Sequence, residues 1–240
     1  MLHYTSKLKT YNIEATDGEM GKIRDLYFDD NKWQIRYAAV DTRKWLPGRK
    51  VLLSPASFVM VNELSENVEI EYDKEKVRNS PPVHEDTILT RDVEDSLFDY
   101  YGWGRYWAGE VLWSADKIPL ASFKDARPEE EPIAYDNTQE EMNSLDLRSV
   151  EEAIGLKVHG SDGKIGEIVD LIYDDEYWKI PYLVVRSTHF VEIKYHVYHI
   201  DDINSIDWLE KDIYVKDTVE ALNPNKIFEN KKQILNTVHQ

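Results

Sequence analysis

The chain has 240 residues and sets 46 aspartates and glutamates against 29 lysines and arginines, a formal net charge of −17. Such an acidic balance repels phosphate backbones and anionic lipid head groups, so neither nucleic acid nor a membrane surface is an expected partner. The absence of cysteine removes disulfides, thiol nucleophiles, zinc–thiolate sites and iron–sulfur clusters together, while 42% hydrophobic and 12% aromatic content marks a packed globular protein.

Residues 1–7 lack the apolar core of a signal segment, and no apolar run reaches the ~18 residues that a membrane span needs. The cytoplasm is the expected compartment. Residues 9–15 read as a first short strand. Asp17-Gly18 is a hairpin-turn signal, and Gly21 offers a bulge. A strand over 22–28 leads to the turn cluster Asp29-Asp30-Asn31. Residues 33–40 then alternate, with Trp33, Ile35, Tyr37 and Ala39 facing a core and Gln34 and Arg36 facing out. Pro47-Gly48 marks a tight turn, and strands follow over 50–53, 58–62 and 68–72. Ser80-Pro81-Pro82 closes a first domain over residues 1–80.

A connecting segment over 81–145 has no counterpart elsewhere in the chain. It holds a helix near 92–101, an aromatic cluster over 100–113 and an acidic linker over 127–143. A second domain over 146–222 opens with the capping box Ser149-Val150-Glu151-Glu152 and a short helix that Gly155 ends. Pro181 places its strand at an edge or a bulge. Residues 223–240 form a polar tail with a loose helix as one option.

The strongest pattern is a repeat. Asp17-Gly18, Gly21, Asp25, Trp33 and Tyr37 return as Asp162-Gly163, Gly166, Asp170, Trp178 and Tyr182, each 145 positions later. The same offset aligns Leu64 with Leu209. A repeat of this length is a duplicated domain rather than a solenoid unit. The expected fold is therefore dominated by β structure: two small antiparallel barrels from an internal duplication, joined by a partly helical, aromatic-rich segment.

Each candidate site has a plainer reading beside it. Asp29/Asp30 and Asp174/Asp175 suggest a hard cation or acid–base chemistry, but aspartate is a preferred turn residue and the turn is the expected reading. Asp25 and Asp170 lie inside strands, where aspartate is unfavoured. Accepting backbone N–H bonds is the expected role there, with catalysis as the alternative. His196 and His199 are the closest histidines and fall on opposite faces of a strand, so neither a metal nor another cofactor is expected. No phosphate loop, nucleophile elbow or His-Glu-x-x-His motif is present, and no enzymatic activity is expected. The rings Tyr100, Tyr101, Trp103, Tyr106 and Trp107 are too many for a solvated linker. They serve either internal packing or an interface with a second copy or another protein.

The pattern Asp-Gly-x-x-Gly, Asp-Leu, acidic turn, Trp-x-Ile-x-Tyr and Val-Asp resembles the PRC-barrel family. It stands at residues 17–41 and less fully at 162–185, and Lys44-Trp45-Leu46-Pro47-Gly48-Arg49-Lys50 extends it in the first copy only. The resemblance implies a small β-barrel like that in the cytoplasmic part of the photosynthetic reaction centre H subunit, and a non-catalytic adaptor that docks on protein partners. By that likeness an assignment to photosynthetic electron transport follows. The expected function is an interaction or scaffold protein that forms a homodimer and binds an unknown protein partner. A small-ligand or divalent-metal-responsive regulator is the alternative.

Overall fold

The computed structural model describes residues 1–83, 89–105, 147–187, 193–218 and 227–238. It is strand-dominated and contains two sheets, one of them a half-barrel. The chain divides into two compact units. One takes Met1–Thr10, Asp25–Arg36 and Arg148–Gln240; the other takes Tyr11–Arg24 and Tyr37–Leu147. Among the described residues no helix is long and apolar enough to cross a membrane.

The first half runs β1 (Leu2–Tyr4), α1 (Thr5–Leu8), β2 (Asn12–Ala15), β3 (Gly18–Asp29), β4 (Gln34–Asp41), β5 (Val51–Leu53), β6 (Phe58–Asn62) and β7 (Asn67–Ile70). The helices α2 (Lys74–Arg78) and α3 (Arg91–Tyr101) follow. The second half runs β8 (Leu147–Ser149), α4 (Val150–Ala153), β9 (Lys157–Gly160), β10 (Gly163–Asp174), β11 (Tyr182–Ser187), β12 (Tyr195–His199), β13 (Ile203–Asp207) and β14 (Asp212–Val215). It ends with β15 (Ile227–Phe228) and α5 (Lys231–Val238). One sheet is ordered β13-β14-β9-β10-β11-β12-β15 with β1 against β10; the other is ordered β5-β4-β3-β2-β7-β6 with β8 against β3. The pairs β2·β7 and β9·β14 are parallel, a departure from the antiparallel expectation.

Most local signals become the expected elements. Gly18 stands at φ +115° where β2 turns into β3, and the register slips by one residue beside Gly21, leaving a bulge. Thr90 caps α3, with Asp92 and Glu94 in its first turn where the helix dipole favours acids. The Ser149–Glu152 capping box is present as read.

Three readings differ. The first short strand read over 9–15 begins only at Asn12, and residues 5–8 before it are helical, the α1 amide of Ser6 finding its acceptor far away in sequence, on Asp170. Strand β4 does not alternate: Gln34 is 4% and Arg36 5% exposed. Gln34 Nε2 donates to the Tyr177 carbonyl and Arg36 Nη1 donates to Asp29 Oδ2 at 3.2 Å, so polar partners cover the face expected to be wet. Pro181 precedes β11 rather than sitting within it, and its carbonyl accepts from Ile200 N–H at 3.0 Å. In the C-terminal segment β15 pairs with β12, and Ile234 of α5 is fully buried against Ile172, Val184, Val197 and Phe228.

Candidate functional site

Of the recurring residues, Asp25, Trp33, Asp162, Gly163, Gly166, Asp170, Trp178 and Tyr182 belong to the unit that holds Asp25–Arg36 and Arg148–Gln240, whereas Asp17, Gly18, Gly21 and Tyr37 belong to the other. Asp29 Oδ1 accepts from the amides of Asn31 (3.0 Å) and Lys32 (3.2 Å); Asp174 Oδ1 accepts from those of Glu176 (2.8 Å) and Tyr177 (3.0 Å). Both are Asx turns, in which the carboxylate replaces backbone acceptors lost at the bend. Asp30 faces Arg148 at 3.3 Å. Among the described residues no group of three or more histidine or acidic side chains is placed to hold a metal ion.

Each turn ends on a tryptophan in the left-handed region, Trp33 at φ 53° and Trp178 at φ 57°. That conformation is strained for a bulky residue and persists only when surrounding contacts hold it. Here they do. Trp33 stacks on Phe28 at 5.1 Å and Trp178 on Tyr173 at 5.4 Å, and both indoles are buried. The turns also clasp each other: Ile35 N–H donates to the Trp178 carbonyl, and Ile180 N–H to the Trp33 carbonyl, each at 2.8 Å.

Asp170 and Asp25 repeat this reciprocity. Asp170 is 1% exposed. It accepts from Thr5 Oγ1 (3.1 Å), Ser6 N (3.1 Å), Ser6 Oγ (2.5 Å), its neighbour Leu171 N (3.0 Å) and Lys231 Nζ (2.7 Å). Asp25 accepts from Leu26 N (2.9 Å) and Glu151 N (3.3 Å), with Lys9 Nζ at 3.4 Å. Each strand aspartate thus caps the first turn of a short helix, α1 or α4, that has few hydrogen bonds of its own. This is the backbone-capping role expected for them, made through space rather than across a local turn.

Burial raises the Asp25 carboxyl above its usual 3.8, and the Lys9 ammonium only partly offsets this. A carboxyl whose folded value is raised stabilises the fold fully below 3.8 and loses that contribution as pH rises through the raised value. Asp25→Asn should therefore flatten the decline in urea midpoint above pH 3.8. A variant profile that superimposes on the wild type would contradict the assignment.

In the other unit, Tyr101 and Trp103 are each 8% exposed and stack at 4.3 Å, 10° from parallel. Phe98 meets Trp103 edge-on at 5.5 Å. Trp103 Nε1 donates to Tyr72 Oη at 3.0 Å, and Tyr72 Oη donates to the Tyr101 carbonyl at 3.3 Å. Burial pushes the Tyr101 phenol up to about 12, so it stays neutral. Tyr100 is half-buried; its hydroxyl donates to the Lys76 carbonyl at 2.8 Å and its ring carries Lys76 Nζ at 4.1 Å. Beneath them the Tyr37 hydroxyl donates to buried Glu94 Oε1 at 2.6 Å. These rings bind α3 to α2 and the end of β7. Tyr106, Trp107, Trp113 and the acidic linker at 127–143 lie outside the described residues.

The remaining signature positions serve the strands. Asp17 caps α2 through Lys74 N at 3.0 Å. Asp162 lies in the β9–β10 turn, Gly163 opens β10 opposite Gly160, and Tyr182 opens β11 opposite Ile172. A Cβ on Gly21 would lie 2.1 Å from the Asp41 carbonyl oxygen, and one on Gly166 would lie 2.0 Å from that of Arg186.

Exposure brings forward two residues that sequence alignment alone left without a role. Leu64 is 100% and Leu209 89% exposed, each at a hairpin tip whose leading side chain, Asn62 or Asp207, accepts from the leucine amide at 3.0 Å. Their matching positions were visible in the sequence; their exposure was not. No protein-family model matches the chain, and no curated protein matches it.

Proposed function

We propose that the protein is a non-catalytic interaction or scaffold module of the PRC-barrel type, built from two duplicated barrel units and acting as a homodimer on a further protein partner. The observation that carries this reading is the pair Leu64 and Leu209. Each presents an apolar side chain to water at the same offset of 145, where it contributes nothing to its own core. The duplication is supported by backbone detail at that offset. Trp33 and Trp178 share their left-handed conformation, as do Glu66 (φ 53°) and Lys211 (φ 59°), and β3 and β10 are both 12 residues long. The recurring acids are engaged in turns and caps, which favours a structural role for them over a catalytic one.

The test is the double variant Leu64→Ser/Leu209→Ser. Its thermal midpoint should match the wild type within ~0.5 kcal/mol of stability, since neither side chain is buried. Its complex in an extract of the native host should be smaller than the wild-type complex. An unchanged complex would contradict the role of the two leucines.

A further inference from the structure

The outer face of the second sheet carries a transverse row set by its register. Glu19 of β3 lies opposite Glu14 of β2, Glu14 opposite Glu69 of β7, and Glu69 opposite Met60 of β6. Like charges directly opposite one another in a sheet destabilise it. Among the described residues none of these three carboxylates forms an ion pair or hydrogen bond. The adjoining row, Lys22, Asn12, Asn67 and Asn62, places one cation at its far end, on β3.

The row ends on an open edge. Among the described residues β6 has a single neighbour, β7. Natural edge strands are usually guarded by charge or proline. The sequence Phe58-Val59-Met60-Val61-Asn62 has neither, and its one guard is a bulge at Val59. Val59 is 54% and Met60 49% exposed.

We infer that the β6 edge docks an extended basic segment of a partner protein, which adds as a strand beside Phe58–Asn62 and lays lysine or arginine side chains over Met60 toward Glu69. This rests on the interaction-module reading and names the chemistry of one partner. Strands lie about 4.8 Å apart, so a strand added to β6 stands about 9.6 Å from β7. A lysine or arginine side chain reaching across Met60 and a glutamate reaching back span that distance together, the aliphatic stem covering the methionine and the charge meeting the carboxylate. Main-chain bonds supply affinity, and the alternation of apolar and basic side chains supplies selectivity. A second copy suits the edge less well. Two-fold pairing of β6 would bring two carboxylate rows together in chains that each carry −17.

The probe is a short synthetic peptide alternating lysine and valine, titrated calorimetrically into the full chain. A second peptide has the same side chains but methyl groups on alternate backbone nitrogens, which keeps its charge and removes ladder donors. Saturable binding of the first and at least about tenfold weaker binding of the second is expected. Glu14→Gln/Glu69→Gln should also weaken binding about tenfold while its thermal midpoint stays equal to or above that of the wild type, because the repulsion is relieved. Equal binding of both peptides would mean diffuse charge attraction and would overturn the inference, as would no binding. A Met60→Lys variant that turns a dimer into a monomer would overturn it too, by giving the edge to a second copy. None of these failures touches the Leu64/Leu209 experiment, which judges the interaction module separately.

Discussion

Gly166→Ala is expected to destabilise the fold by about 3 kcal/mol or more, the upper end of the cost of overpacking a core. The added Cβ would lie 2.0 Å from the Arg186 carbonyl oxygen, 2.8 Å from its carbon and 2.9 Å from a methyl of Val185. Two of those atoms are backbone, so no side-chain rotation relieves the clash. Gly166 pairs with Ser187 on one side and Val158 on the other, so β10 has no room to retreat from β11 without stretching the β9 ladder. A glycine with open surroundings provides the control. A Cβ on Gly104 would meet nothing within 4 Å, so Gly104→Ala should leave stability unchanged or raise it by ~0.4–1 kcal/mol through the unfolded chain. Urea unfolding of both variants measures the difference; similar midpoints would contradict the strand approach described.

Asp170→Ala should cost about 3 kcal/mol, near the lower end for breaking a buried charge pair. The carboxylate is 1% exposed while Lys231 is 35% exposed, so the lysine regains some water when its partner is removed, and the cost stays at that lower end. The variant also uncaps α1, because Ser6 N loses its acceptor. Two elements at opposite ends of the chain should loosen together, α1 and α5, since Lys231 is the first residue of α5. A fall of roughly 1–2 M in urea midpoint is expected for an ordinary urea dependence. Hydrogen exchange should quicken in both helices. Asp25→Ala should cost less, because its contacts to Glu151 N and Lys9 are longer, 3.3 and 3.4 Å. Faster exchange in α1 alone would contradict the tie through Lys231.

These effects show which features were legible in the sequence. Asp29-Asp30-Asn31, the Ser149–Glu152 box and the acidic first turn of α3 act on amides within a few residues, so local chemistry announced them. The helix α1 has no such signal: Tyr4 offers no side-chain cap, and the acceptor of Ser6 N lies 164 residues away. Trp33 fits a strand alternation by composition, yet the clasp with Ile180 holds it in a left-handed turn. Gln34 and Arg36 read as outward because strand alternation does not show their polar partners, the Tyr177 carbonyl from the other turn for Gln34 and Asp29 at the start of its own turn for Arg36. The carboxylate row was hidden because it depends on two bulges, at Met20 and Val59, that shift the registers of β2–β3 and β6–β7. Strand patterns show which face a residue takes, not which residue stands across from it.

In the proposed module the recurring acids and tryptophans build the fold, while the surface engages partners. Light scattering coupled to size-exclusion chromatography tests it most directly, applied to the purified protein and to an extract of its native host. The proposed module should run as a homodimer when purified and as a distinctly larger species in the extract. The same mass in both would contradict it.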